Sequence, residues 1–132
     1  MLPLLKYNLP AVLWATVILF LTLLPAADLP EVPAWQLISF ATASHAIVFF
    51  ILAGLLCFGL KKQTNSLFLR RYSGWVTLFV SIFFGIMIEI FQSIMGWGRQ
   101  GDIMDVVSNS IGTVAGIGFF SMLSRKLLPN FW

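Results

Sequence analysis

The chain has 132 residues, of which 59% are hydrophobic and only 10% are charged. Soluble domains carry roughly 25% charged residues, so the composition excludes a soluble globular domain and indicates an integral membrane protein. The formal net charge of +3 does not indicate nucleic-acid binding, because the basic residues lie in short segments beside apolar stretches, where they meet lipid head groups and set topology.

Four apolar stretches account for most of the sequence. A membrane-spanning helix needs about 20 residues, so four spans with short loops nearly fill the chain and leave no room for a soluble domain. We therefore expect an all-α polytopic membrane protein with four transmembrane helices in a single domain over residues 1–132. The helices are predicted at about 9–24, 40–60, 75–95 and 102–123.

The first stretch is bounded by prolines. Pro10 suits the first turn of a helix, and Pro25 cannot continue one. Lys6 before the apolar run also fits a signal peptide, but the run is long and Pro25–Asp28 is a poor cleavage site, so a retained membrane helix is favoured. The prolines between residues 25 and 33 predict a loop, and Trp35 follows as an interfacial aromatic.

Basic and acidic residues separate to opposite sides of this topology. On one side lie seven of the eight basic residues, all except Arg99: Lys6, Lys61, Lys62, Arg70, Arg71, Arg125 and Lys126. The positive-inside rule then places both termini in the cytoplasm. On the other half lie all five acids, which indicates that this half holds the functional site: Asp28, Glu31, Glu89, Asp102 and Asp105.

Polar residues of three predicted helices recur at helical spacing, so each set shares one face. The third helix carries Ser81, Gly85, Glu89 and Gln92, the fourth carries Asp105, Asn109, Gly112 and Gly116, and the second carries His45.

These faces place polar groups at a similar depth. At 1.5 Å per residue, Glu89 lies about 12 Å from Trp97, His45 about 15 Å from Trp35, and Asn109 about 10 Å from Asp102. We therefore expect one polar cavity open to the outer face. Its residues are predicted to be His45, Glu89, Gln92 and Asn109, with Arg99, Asp102 and Asp105 at the rim.

Each member also has a structural interpretation. Asp102 suits the N-cap of the fourth helix, and Asp105 is favourable in its first turn. Arg99 could neutralise Glu89, and His45 could be a packing residue. Amide groups such as those of Gln92 and Asn109 often join membrane helices, at only about 0.6 kcal/mol each. Glu89 is hardest to explain in this way, because a carboxylate at that depth needs a partner or water.

Three glycines are assigned to helix packing. Gly112 and Gly116 form a small-xxx-small pattern, and Gly85 lies on the polar face of the third helix. Close packing inside the bundle is favoured, and a homodimer is the less favoured interpretation. The single cysteine, Cys57, excludes an intramolecular disulfide and gives no metal-binding motif. We expect no metal and no cofactor.

The order of these polar residues resembles the VanZ-like family of small bacterial integral membrane proteins. The resemblance covers about residues 9–125 and is carried by Ser44-His45-Ala-Ile-Val-Phe49-Phe50, Glu89-Ile-Phe-Gln92, Arg99-Gln-Gly-Asp102-Ile-Met-Asp105 and Asn109-Ser-Ile-Gly112-Thr-Val-Ala-Gly116. Two departures are visible. Ala41 and Thr42 replace an Asp-Lys pair found in many similar proteins, and Phe49 replaces a tyrosine. The resemblance implies a role in teicoplanin-type antibiotic resistance or in cell-envelope physiology.

Three functions fit these features. The favoured one is a non-enzymatic protein that binds or remodels a lipid, cell-wall precursor or lipoglycopeptide in the outer leaflet. Arg99 would then pair with phosphate or carboxylate, and the acids would bind amines or sugar hydroxyls. The alternative is an intramembrane enzyme acting on a lipid-linked phosphate or sugar, with His45 and the acids as proton carriers or hard-metal ligands. A proton-coupled carrier is the weakest, because the sequence shows no inverted repeat.

Overall fold

The structure, a computed structural model, describes residues 2–24, 40–96 and 101–127. Within these ranges the backbone forms helices and no strands, as the sequence predicts. The five helices are α1 (Leu2–Thr22), α2 (Phe40–Lys61), α3 (Leu67–Arg71), α4 (Ser73–Met95) and α5 (Ile103–Leu127). The predicted loop at residues 25–33 and Trp35 fall outside the described residues.

Helix α1 begins seven residues earlier than the sequence predicts. The prediction took Pro10 as the first-turn proline, but Pro10 lies inside the helix and Pro3 occupies the first turn. The sequence contains both prolines, and only the second borders the strongly apolar run. Membrane helices tolerate an interior proline, so Pro10 does not mark the boundary.

Helix α3 is a single short element that the sequence analysis did not predict. Its N-cap is Ser66, whose Oγ accepts a hydrogen bond from the Leu69 amide at 3.3 Å. Helix α4 follows after one residue and begins at Ser73, two residues before the predicted start. Helix α5 continues to Leu127, four residues beyond the predicted end. Helix α2 matches its predicted bounds to one residue.

Four of the helices are long and apolar enough to cross a membrane. Their candidate spans are Leu4–Thr22, Thr42–Lys61, Ser73–Met95 and Ile103–Lys126, of 19 to 24 residues. At 1.5 Å per residue such spans cover roughly 29–36 Å, which matches a hydrocarbon core about 30 Å thick. The prediction of a four-span membrane protein is confirmed.

The distribution of side chains is inverted relative to a soluble protein. Phe20, Phe79 and Ile94 are 67–74% exposed, whereas polar groups turn inward. Helix α4 shows this best, because its buried residues follow one face and include the predicted stripe: Ser73, Thr77, Ser81, Gly85, Ile88, Glu89 and Gln92. Apolar side chains facing outward are those that lipid tails solvate at no cost, so the exposed surface suits a bilayer.

Helix α2 lies at the centre of the bundle and contacts α1, α4 and α5. Its closest neighbour is α5, because Gly112 and Gly116 let the two backbones approach. A Cβ atom at Gly112 would overlap the carbonyl oxygen of Ala46, and one at Gly116 would overlap that of Phe50. The small-residue stripe therefore allows the close approach of α5 to α2 inside the bundle. On the other side, Trp14 Nε1 of α1 donates to the Val48 carbonyl at 2.9 Å.

The two ends of the bundle differ in charge. We call the end where α1 and α4 finish and α2 and α5 begin the polar end, and the opposite end the basic end. The seven basic residues of the described helices and of the α2–α3 connection lie at the basic end: Lys6, Lys61, Lys62, Arg70, Arg71, Arg125 and Lys126. Four spans, an even number, place Leu2 and Leu127 on the same side of the membrane.

Candidate functional site

The candidate site lies inside the polar end, where α2, α4 and α5 meet. His45 is five residues past the start of α2, Glu89 is six residues before the end of α4, and Asn109 is six residues past the start of α5. At 1.5 Å per residue all three lie about 8–9 Å from a helix end. His45 is 4% exposed, Glu89 7% and Asn109 1%, so the three helices place these groups at one depth and away from lipid.

The imidazole of His45 bridges two residues of α5. Its Nδ1 lies 3.2 Å from Asn109 Oδ1, and its Nε2 lies 3.7 Å from Asp105 Oδ2. Asn109 Oδ1 is an acceptor only, so Nδ1 carries the proton in this contact. The ring is therefore held in one orientation, with Nε2 directed at the Asp105 carboxylate.

Asp105 is held from the first turn of α2. Thr42 Oγ1 donates to Asp105 Oδ1 at 3.1 Å, and Ser108 Oγ donates to the Thr42 carbonyl oxygen. Thr42 belongs to the first of the two departures from the VanZ-like pattern, the replaced Asp-Lys pair, and it still supplies a polar contact to the site. Phe49, the other departure, is fully buried and packs on Phe84 with ring centroids 6.0 Å apart.

Glu89 connects α4 to the start of α5. Its Oε2 accepts from the Asp102 amide at 2.9 Å, where the positive end of the α5 dipole favours a carboxylate. The Glu89 carbonyl accepts from Ser93 Oγ at 2.9 Å, and Ser93 Oγ in turn accepts from the Gly101 amide at 3.1 Å. A side chain at Gly101 would overlap the Glu89 carbonyl oxygen, so this close approach requires glycine.

Together these contacts bring three chemically distinct side chains to one point. One ligand atom each from His45, Glu89 and Asp105 lies within 4.8 Å of the others. An imidazole and two carboxylates at this separation are able to bind a metal ion, exchange a proton or accept hydrogen bonds from a polar ligand. We call these three residues the donor cluster.

The remaining predicted site residues have other contacts. Gln92 is buried and donates through Nε2 to the Thr22 carbonyl at 2.7 Å, which ties α4 to the end of α1. Asp102 is exposed, and its Oδ1 accepts from the Met104 amide at 2.8 Å, so its side chain caps α5. Both contacts match the structural interpretations of these residues. Arg99 lies outside the described residues.

Gly85 permits the approach of Asn109 to α4. A Cβ at Gly85 would lie 3.1 Å from Asn109 Nδ2, which is shorter than most contacts that Cβ atoms make in proteins. Within the part of the chain that the structure describes, Asn109 Nδ2 and Ser81 Oγ have no hydrogen-bond partner. The side-chain amide of Asn109 therefore forms its hydrogen bond through Oδ1, with His45.

Sequence reasoning missed two polar residues beside the cluster, Thr42 and Ser108. A signal for each was present. Thr42 lies three residues before His45, and Ser108 lies three residues after Asp105, so each shares a helix face with a predicted site residue. Serine and threonine are too common in membrane helices for that spacing to single them out.

A groove runs beside the site on the outer surface of α4 and α5. It encloses about 310 Å³, and its walls are mainly isoleucine and valine, with Glu89 and Asp102 at the polar end. Its lining consists of Ile86, Glu89, Ile90, Ser93, Ile94, Gly101, Asp102, Ile103 and Val106. Several of these apolar residues are more than 40% exposed, so the groove opens toward the lipid.

Four membrane-spanning helices with a polar cluster buried at one end define a small multi-pass membrane protein. Comparison with known protein families matches residues 7–124 to the family described as VanZ/LLP1. The match covers most of the chain, so this protein belongs to the VanZ/LLP1 family and the resemblance carried by its motifs is confirmed. Comparisons with curated proteins and with solved structures found no match.

Proposed function

We propose that this protein binds an amphiphilic molecule of the outer membrane leaflet: a lipid, a cell-wall precursor or a lipoglycopeptide. The head group would lie at the polar end near the donor cluster, and an acyl chain would lie in the α4–α5 groove. The observation that carries this proposal is the position of Glu89, which belongs to the donor cluster and also lines the groove.

The groove has the chemistry expected for a lipid chain. Ile94 is 74% exposed and Ile103 is 77% exposed, and both lie at the polar end of spans that the membrane surrounds. Ligand pockets for drug-sized molecules enclose roughly 300–1,000 Å³. A volume of about 310 Å³ therefore suits part of one chain and a small head group, and a lipoglycopeptide would be held by its lipid portion.

The charges at the polar end favour a head group that donates hydrogen bonds. Glu89, Asp102 and Asp105 supply carboxylates, which bind amines and sugar hydroxyls. Arg99 would add a guanidinium suited to phosphate or carboxylate. A head group with both an amine or sugar and a phosphate, as in lipids and cell-wall precursors, offers partners to both kinds of residue. This role belongs to the bacterial cytoplasmic membrane and to envelope physiology, with teicoplanin-type resistance as one form of it.

Blocking the groove tests the proposal. In Ile94→Trp the indole would occupy the groove, and we expect the purified protein to lose most of its co-purifying lipid, measured by native mass spectrometry. Ile111→Trp is the matched control, because Ile111 is 62% exposed and does not line the groove. Cells carrying each variant would also be compared for teicoplanin sensitivity. Equal lipid retention by both tryptophan variants would contradict the proposal.

A further inference from the structure

The geometry points to a divalent metal site formed by His45, Glu89 and Asp105, and we propose that it holds a first-row transition ion such as Zn²⁺. This inference goes beyond lipid binding and does not depend on it, because all three donors come from the protein itself. It also departs from the sequence analysis, which expected no metal.

The separations of the donors are close to those of a coordination sphere. Two donors each about 2.1 Å from a tetrahedral ion lie about 3.4 Å apart. His45 Nε2 and Asp105 Oδ2 are 3.7 Å apart, and the three ligand atoms lie within 4.8 Å of one another. Binding an ion would draw the His45–Asp105 pair closer by about 0.3 Å and a pair at the 4.8 Å limit by about 1.4 Å.

The imidazole is already oriented for a metal. Its Nδ1 contacts Asn109 Oδ1 at 3.2 Å, so the neutral ring carries its proton there and directs the Nε2 lone pair at the cluster. Among the described residues Nε2 makes no hydrogen bond, although the side chain is 4% exposed. A lone pair facing a carboxylate is repulsive unless a metal ion or a second ring proton lies between them. Metal-bound histidines almost always donate their other ring N–H in this way.

The carboxylates are positioned by contacts of the same kind. Asp105 Oδ1 accepts from Thr42 Oγ1 at 3.1 Å, which leaves Oδ2 facing His45. Glu89 Oε2 accepts from the Asp102 amide at 2.9 Å, which fixes the carboxylate against the start of α5. Outer contacts that hold each donor keep a site in its binding geometry before the ion arrives.

The donor types select the kind of ion. Mg²⁺ and Ca²⁺ prefer oxygen ligands throughout, whereas imidazole suits Zn²⁺, Fe²⁺, Ni²⁺ and Cu²⁺. Two carboxylates and a dication sum to zero charge, which removes much of the cost of burying the carboxylates beside hydrocarbon. Three protein donors also leave at least one coordination position for water or an anionic group, as in open zinc sites.

The competing explanation is an ion pair between a doubly protonated His45 and Asp105. Such a pair uses two of the three converging side chains and requires a proton on Nε2. It predicts that Zn²⁺ finds no specific site, which separates it experimentally from the metal site.

The test is a Zn²⁺ titration of the full-length protein in lipid-free detergent micelles against a chromophoric chelator. We expect one ion per chain, with affinity at least about tenfold lower in His45→Ala and in Asp105→Asn, since even outer-contact changes cost about 10–100-fold. Cys57→Ser is the control, because it removes the buried thiol near the opposite end of α2, a side chain that can bind metal but is not a member of the donor cluster. It should bind within about twofold of the parent protein.

A second measurement uses only the parent protein, so it remains informative if a variant does not fold. X-ray absorption of the Zn²⁺-loaded parent protein should show nitrogen and oxygen ligands near about 2.0–2.1 Å, one imidazole, and no sulfur. Absence of stoichiometric binding, equal binding by all variants, or a spectrum without imidazole would overturn the metal site. Because the Zn²⁺ titration contains no lipid, its outcome is independent of the lipid-retention comparison of Ile94→Trp, which tests the proposed function.

Discussion

At the scale of single residues, similar polar side chains serve different purposes within a few ångströms. Asp102 and Asp105 are three positions apart, yet one caps α5 and the other faces His45. The sequence identified both as candidates, but the spacing alone left capping and site roles open. The two roles are separated by the position of α2, because its Thr42 and His45 contact Asp105. The local sequence around Asp105 gives no information about where α2 packs.

Replacing the cap of α5 should cost a predictable amount of stability. Asp102→Ala removes the acceptor for the Met104 amide, and we expect a loss of about 1 kcal/mol of unfolding free energy. Unfolding would be followed by circular dichroism during transfer from mild detergent into dodecyl sulfate. Asp102→Asn, which also caps helices well, should retain most of the stability. A loss of equal size in both variants would show that the charge, and not the cap, is what matters.

At the scale of helices, the sequence predicted the spans better than their ends. Apolar length identified all four membrane helices, and the period of α4 identified a face that is buried. The start of α1 was wrong because Pro10 is tolerated inside the helix. Helix α3 was missed because five residues after Ser66 are too few for a periodic signal. Depth counting predicted a shared level for His45, Glu89 and Asn109 and placed Asp105 at the rim. The contacts among these side chains depend on helix rotation, which periodicity does not set between helices.

The packing of α2 on α5 gives a prediction for two glycines of the same helix. Gly112→Ala would place a methyl group against the Ala46 carbonyl, whereas a Cβ at Gly118 meets no heavy atom within 4 Å. Overpacking costs about 1–3 kcal/mol, so Gly112→Ala should lower the unfolding free energy by that amount. Gly118→Ala should leave it unchanged or raise it by up to about 1 kcal/mol, through helix propensity. The same detergent titration measures both, and equal shifts would contradict close α2–α5 packing.

At the scale of the whole molecule, the basic residues and the donor cluster lie at opposite ends of the bundle. The basic end carries the lysines and arginines of the α2–α3 region and of the helix termini, and the polar end carries the donor cluster. The four spans place both ends of the described chain on one side. From the positive-inside rule we expect an orientation with the donor cluster near the extracytoplasmic surface.

Labelling from each side of the membrane tests that orientation. In a Cys57→Ser background, a cysteine replacing Asn65 should react with an impermeant maleimide only after the cells are permeabilised. A cysteine at Glu31, in the predicted outer loop, should react in intact cells. Because Cys57 is only 2% exposed, its replacement by serine removes background without changing the surface. The reverse labelling pattern would invert the topology and place the donor cluster on the cytoplasmic side.

The open side of the α4–α5 groove has a further consequence for how occupancy should be measured. Its exposed isoleucines face the side where the bilayer would lie, so a guest of the kind proposed would enter sideways from the bilayer after it had partitioned there. Saturation should then follow the mole fraction of the guest among lipids, and its concentration in the surrounding buffer will be a poor guide. Two compounds with identical contacts in the groove would differ in apparent potency by the ratio of their partition coefficients.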